Sequence, residues 1–549
     1  MFKYIWENDV NDHYFKPPPF DEENAIKNLY KNQVLKGHEG CVNTLKWNKS
    51  GTLLASGSDD RHIIIWRGTG EQVHNIRTNH MGNIFAVDFM PQRPQLLVSG
   101  AADHTILTNH ILYGNEGFWQ TDGRVKRIIT LEEDPFLLWA AVEDGTVKRV
   151  DIRSNEMSTF ITVEDKDYAV KTIANTEILP YLIAVGFDVA ETHIYDRRNT
   201  TKPAIILRPS DPSIQYAHST HVTFNSAGTH VLVNLGGVGA YLYDLKEGNE
   251  PNILNSIYDL IKTPEVQDPI IRHTELEHQD IRNKGNNLIR AKKFSEAIDY
   301  YSRLMEQKFK DNALNSVMAS NRALGFLLRR QKGDSYSCVR DSIKALELHN
   351  GNAKALYRLA NGLICVDQFS LAGKVCDEFR RRFPNDKSIE KLESQVTDMN
   401  RKGHSRSMEI GNDEIDYISR YHAHLNDQTD IKEANFFGTD DRFIVAGSDC
   451  GTMFVYDTKS TALIGAWQAD ENILNILQPH PSMFMLATSG IDYDIKLWEP
   501  RFEKTEEETQ NDSKMPDPYE FMERRQRNGL EFTFMSRRVL RAQPECVTS

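Results

Sequence analysis

The stretch Gly37-His38-Glu39-Gly40-Cys41-Val42-Asn43-Thr44-Leu45-Lys46-Trp47 leads through a polar turn into Leu53-Leu54-Ala55-Ser56-Gly57-Ser58-Asp59-Asp60, then Ile63-Ile64-Ile65-Trp66. Apolar runs this short, separated by Gly, Asp and Ser, predict strands joined by tight turns. The unit recurs. His80 opens a second copy with Leu96-Leu97-Val98-Ser99-Gly100-Ala101-Ala102-Asp103, and a third contains Leu138-Trp139-Ala140-Ala141-Val142-Glu143-Asp144-Gly145. A fourth ends Ile194-Tyr195-Asp196 and a fifth ends Tyr241-Leu242-Tyr243-Asp244. The pattern then stops for well over a hundred residues. It resumes at Phe443-Ile444-Val445-Ala446-Gly447-Ser448 and again at Met485-Leu486-Ala487-Thr488-Ser489-Gly490, ending Lys496-Leu497-Trp498.

These units resemble WD40 repeats, including the Gly-His start and the Trp finish. The resemblance implies a mainly β fold, a seven-bladed propeller, since five units and two fall within the four to eight blades of closed rings. Neither group closes a ring comfortably alone, so both are expected to share one propeller. His38, Ser56, Asp60 and Trp66 match the structural hydrogen-bonding residues of WD40 blades, and His80 and Asp103 repeat part of the set. A Ser-His-Asp trio invites a catalytic reading. Its recurrence at blade spacing, and the lack of a Gly-x-Ser-x-Gly turn, favour a structural network. Gly236-Gly237-Val238-Gly239 reads as a tight turn rather than a phosphate loop.

The interruption has a 3.6-residue apolar period across 275–400. Lys284-Gly285-Asn286-Asn287-Leu288 with Phe294-Ser295-Glu296-Ala297-Ile298-Asp299-Tyr300-Tyr301 resembles a tetratricopeptide repeat. Two further helix pairs begin near Ala319 and Lys354, giving about three repeats, the minimum for a stable solenoid. The expected layout is an N-terminal extension (1–34), blades 1–5 (35–247), a linker (248–272), the helical insertion (273–400), a linker (401–428), blades 6–7 (429–500) and a mostly disordered tail (501–549) carrying one short amphipathic helix. The insertion is thus expected between the fifth and sixth blades.

A net charge of −13 over 549 residues argues against direct, nonspecific nucleic-acid binding. Six cysteines without a Cys-x-x-Cys pair suit a reducing compartment and suggest no metal site. No apolar run approaches the roughly 20 residues of a membrane span, and the charged N-terminus lacks a signal-peptide core. Cytoplasmic and nuclear residence is expected, without cofactor or membrane association.

The order of domains, with Thr429-Asp430-Ile431-Lys432-Glu433-Ala434-Asn435-Phe436-Phe437-Gly438 and Leu477-Gln478-Pro479-His480-Pro481, resembles the WD and tetratricopeptide repeats protein 1 (adipose) family over roughly residues 35 to 500. That resemblance implies a non-enzymatic scaffold: a substrate receptor of cullin-4 RING ubiquitin ligases that restrains lipid storage, with links to histones or chromatin corepressors. Such receptors dock on the ligase adaptor through boxes in which Arg follows a blade's closing Trp-Asp. Here Val150-Asp151-Ile152-Arg153 and Tyr195-Asp196-Arg197-Arg198 close consecutive blades, with Val150 and Tyr195 in place of Trp. Asp151, Arg153, Asp196 and Arg198 are therefore the expected docking residues. The bland alternative is an Arg paired with its own blade's Asp. The other functional reading is a co-chaperone or corepressor scaffold without a ligase.

Some tetratricopeptide modules grip a peptide's terminal carboxylate. Arg282 and Asn286, then Asn321, then Lys354 and Arg358 occupy compatible positions on successive inner helices, each pair four residues apart and so on one face. Arg282 replaces the usual Lys. The implied ligand is an acidic C-terminal peptide of a chaperone or a substrate. The alternative is that these are ordinary surface groups.

Overall fold

The computed structural model describes residues 21–163, 168–211, 214, 216–246, 257, 260, 276–307, 309–401, 414–501 and 519. Among these residues seven sheets, one per blade, stand in a ring whose innermost strands are neighbours in unbroken cyclic order. Blades 1 to 3 are continuous in sequence, spanning Val42–Arg77, Ile84–Gln120 and Val125–Thr162. Blade 6 spans Ala434–Gln468. Each apolar layer lies between consecutive blades: Ile63, Ile65, Val87 and Leu97 join blades 1 and 2, and Trp139, Ile161, Ile183 and Phe187 join 3 and 4. A blade covers its neighbour's apolar face, so the core of the propeller depends on ring closure.

Closure comes from the N-terminus. Leu29–Lys36 pairs antiparallel with Asp494–Pro500 and forms the outer strand of blade 7, with Leu35 opposite Ile495. Residues 29–34 therefore belong to the propeller and not to an extension. A short helix α1 (Glu22–Lys27) precedes this strand, with Ala25 and Ile26 fully buried.

The helical module interrupts a blade. The first three strands of blade 5 are Ser219–Phe224, His230–Leu235 and Gly239–Asp244, and the fourth, Ser419–Tyr421, arrives only after the helices, with Ala240 opposite Tyr421. The expected position between blades 5 and 6 is corrected accordingly. Just before it, Glu414–Ile415 adds a parallel fifth strand to the edge of blade 4. Residues 414–421, expected as linker, are thus built into two blades. A three-residue strand is too short to show alternation, which explains why this sequence reads as a connection.

The module holds α2 (Leu276–Arg290), α3 (Phe294–Glu306), α4 (Asn312–Arg329), α5 (Asp334–Leu348), α6 (Ala353–Cys365), α7 (Phe369–Arg382) and α8 (Glu390–Arg401). The first six form three hairpins, as the period predicts, and α8 packs on α7. Asp311 and Asn352 cap α4 and α6 with their side chains. Gly285 stands where a Cβ would meet Tyr301 at 2.4 Å, so α2 and α3 approach through a glycine. No described helix is long and apolar enough to cross a membrane.

The module is locked to the returning strand. Arg329 and Arg420 both engage Asp334, Tyr336 Oη donates to Asp416 at 2.7 Å, and Arg340 donates to the Tyr417 carbonyl. Tyr336 and Val366 join the core between blades 4 and 5. The expected tail, 501–549, lies outside the described residues except for Arg501 and Tyr519.

Candidate functional site

The His38 network is present in full. His38 lies 2.8 Å from Ser56 Oγ and 2.9 Å from Asp60, and Trp66 Nε1 donates to Ser56 Oγ at 2.9 Å. Burial raises the Asp60 carboxyl, but the His38 contact and the amides of Glu39 and His62 outweigh it, leaving a pKa of about 2. Ser56 is fully buried and also donates to the Ile64 carbonyl. Its hydroxyl is out of a substrate's reach. Blade 2 repeats the motif: His80 contacts Ser99 and Asp103, and Asn109 donates to Ser99 where blade 1 uses Trp66.

Arg153 and Arg198 stand in the turns after the third strands of blades 3 and 4, at one end of the ring. Each is paired with its own blade's carboxylate: Arg153 Nη2 reaches Asp151 at 2.7 Å, and Arg198 Nη2 reaches Asp196 at 2.5 Å. Each Asp also accepts its arginine's Nε and backbone N–H. The arginine hydrogen bond is the largest cause that lowers each Asp to a pKa of about 2. The guanidinium carbons lie 4.7 Å from the Phe136 ring and 4.3 Å from Tyr181. Both side chains remain open to solvent, 58% and 67% exposed. Pairing with the carboxylate and exposure to solvent therefore coexist. Carboxylate below and ring alongside fix a fork of donors at the surface. Tyr113 and Ile178 are exposed in turns at this same end.

The sequence did not single out Arg197. Its guanidinium pairs with Asp134 and lies 3.2 Å from Glu133, in the turn between the first two strands of blade 3. It welds the two blades that carry the exposed pair. Only its position next to Arg198 hinted at a role.

In the helical module a concave groove of about 760 Å³ is lined by Leu324, Leu328, Lys354, Tyr357, Arg358 and Asn361 among others. Arg358 is buried, and Nη1 donates to Ser320 Oγ at 2.5 Å and to Asn321 Oδ1 at 3.4 Å, both neutral acceptors. Burial pulls its pKa down to about 10. Tyr301 Oη reaches Asn286 Oδ1 at 3.5 Å and is also bonded to Asn321. Asn286, Tyr301, Asn321 and Arg358 thus form one continuous chain. Lys354 is exposed one turn before Arg358, and Arg282 is half-buried one turn before Asn286. Tyr301, the bridge between helices, was not anticipated, because a tyrosine at that spacing reads as core.

At the opposite end of the ring, a cavity of about 390 Å³ at the channel mouth includes Asn43, Phe85, Glu143, Lys171, Asp430 and Asn475 in its wall. Asp430 lies 3.1 Å from Lys126 and 3.2 Å from Lys171, tying blades 3 and 4 to the loop that enters blade 6. The neighbouring Lys432 and Glu433 are fully buried and pair with Asp449 and Arg127. The charged run Asp430-Ile431-Lys432-Glu433 is thereby structural. Asp470, Asp492 and Asp494 cluster closely enough for a cation, but Lys496 Nζ lies among them, 2.7 Å from Asp494.

The WD domain, G-beta repeat, family model matches residues 30–67. Human WD and tetratricopeptide repeats protein 1 is 30% identical over 581 aligned positions, covering 87% of this chain and 85% of the human one. Protein ALTERED SEED GERMINATION 2 of Arabidopsis thaliana is 24% identical, over 86% of this chain and 87% of its own. A shorter alignment, 40% of this chain and 28% of the relative, is 31% identical to mouse DDB1- and CUL4-associated factor 6.

Proposed function

This chain belongs to the family of WD and tetratricopeptide repeats protein 1, and on that premise we propose that it is a substrate receptor of a cullin-4 RING ubiquitin ligase, a scaffold that presents other proteins. The observation that carries this reading is the tandem of pre-ordered arginines: Arg153 and Arg198, each braced by Asp151 or Asp196, at one end of adjacent blades. The partial likeness to a relative whose name associates it with DDB1 and CUL4 supports the same docking partner. An arginine already held in place loses little freedom on docking, so its charged hydrogen bonds favour the complex nearly in full. Residence in cytoplasm and nucleus, restraint of lipid storage and contact with histones or corepressors belong to the same proposal.

The test is co-purification of the DDB1 adaptor with Arg153→Ala/Arg198→Ala. Losing one charged interface bond costs about 2–5 kcal/mol, so the double variant is expected to lose the adaptor while staying folded. Full recovery of the adaptor by a folded double variant would refute the docking role.

A second reading concerns the groove. The buried Arg358 guanidinium meets neutral acceptors, which leaves its charge for an arriving anion. Arg282, Asn286, Asn321, Lys354 and Arg358 would hold the carboxylate of an acidic C-terminal peptide from a chaperone or a substrate.

A further inference from the structure

Helix α3 touches the propeller away from the lock made by α4 and α5. Asp299 is 5% exposed. Its Oδ2 accepts the backbone N–H of Leu463, at the start of blade 6's outer strand, at 3.0 Å. The same oxygen accepts Tyr519 Oη at 2.6 Å. The Tyr519 side chain packs on the apolar core between blades 5 and 6, which includes Leu463 and Tyr456. Three separate stretches of chain therefore meet on one buried carboxylate: the helical module, blade 6 and the segment beyond the last blade.

We propose that Tyr519 fastens the helical module to blade 6 across their seam. A carboxylate in an apolar junction needs donors to keep its charge. Burial pushes Asp299 up to about 6, and the bonds from Tyr519 and Leu463 and the charges of Arg329 and Arg303 act against that rise. Without the tyrosine hydroxyl, one donor bond to this oxygen is gone and the seam loses its third member. The hold of Tyr519 sets how firmly the groove is fixed relative to the docking end of the ring.

Hydrogen–deuterium exchange on the full chain tests this, with Tyr519→Phe removing only the hydroxyl and Tyr519→Ala removing the ring as well. Exchange over 294–306 and 463–468 is expected to quicken about tenfold in Tyr519→Phe, the scale of a lost bond to a charged acceptor. It should quicken further in Tyr519→Ala, while the inner strand 42–47 keeps its protection. Unchanged exchange in Tyr519→Phe would overturn the proposal, even if Tyr519→Ala responds, because packing alone would then hold the seam. A uniform rise that includes 42–47 would overturn it too, as general destabilisation.

Discussion

Asp60 is a single carboxylate whose charge state affects a whole blade. Its folded pKa of about 2 lies below the unfolded value near 3.8. A depressed carboxylate contributes stability that is fully present above roughly pH 4 and is lost as pH falls through about 2. Its side chain is 12% exposed, so screening trims the contribution to about 1–2 kcal/mol. Asp60→Asn is expected to lower stability at pH 7 by that amount and to flatten the acid limb of the unfolding profile between pH 4 and 2, measured by urea titration at each pH. An unaltered acid limb would remove Asp60 from the account. The groove around Arg358 permits a sharper test. With a fluorescent peptide ending in acidic residues, Lys354→Ala is expected to weaken binding roughly tenfold, and C-terminal amidation likewise. Arg358→Ala combines lost binding with a lost tether to Ser320, so Lys354→Ala is the cleaner variant. Equal binding of free-acid and amidated peptides would dismiss the clamp. At this scale the sequence was readable where chemistry repeats: His38, Ser56, Asp60 and Trp66 meet as expected. It was mute on Arg197 and Tyr301, because an arginine that welds blades and a tyrosine that links helices have no local signature.

Blade 5 shows what an element owes to distant sequence. Its outer strand consists of three residues, and the middle one, Arg420, is 6% exposed at its side chain. A buried guanidinium argues against a strand by composition, yet Asp334 and the Lys332 carbonyl accept its two Nη groups from the helical module. The strand and the module are mutually dependent. Arg420→Met keeps the length and removes the charge, leaving Asp334 with Arg329; Asp334→Leu strands both arginines. Breaking a buried pair from one side costs about 3–5 kcal/mol. Asp334→Leu is therefore expected to lower the melting temperature well beyond Arg420→Met, by calorimetry. Equal effects would mean the cluster contributes packing alone. The helices themselves were legible from their period, and the strong blade strands from their apolar runs. The strand Ser419–Tyr421 was not, since its partner Gly239–Asp244 lies on the far side of the whole helical module.

Over the whole molecule, the helical insertion is more than a passenger. From sequence, removing 273–400 behind a flexible linker should leave a soluble propeller. The structure alters that expectation: the cut deletes Asp334, Tyr336 and Arg340 and leaves Asp416, Tyr417 and Arg420 facing solvent or each other. Such a deletion is expected to fold with a clearly lowered melting temperature, and Arg420→Leu in the same background should restore part of it. Extending the deletion through Tyr421 exposes the edge of Gly239–Asp244, and aggregation by light scattering is the expected result. A fully stable, monomeric form of the longer deletion would show that blade 5 closes without its fourth strand. The N-terminal closing strand has a consequence in time. Leu35 is made roughly 460 residues before its partner Ile495. At about 5–20 residues per second, the strand waits on the order of half a minute or more for its mate. Throughout that interval Leu29–Lys36 is an unpaired edge, and Lys31 and Lys36 within it place charge where a stray strand would otherwise add. Nascent chains halted before residue 494 should therefore carry an open ring, however complete their earlier blades.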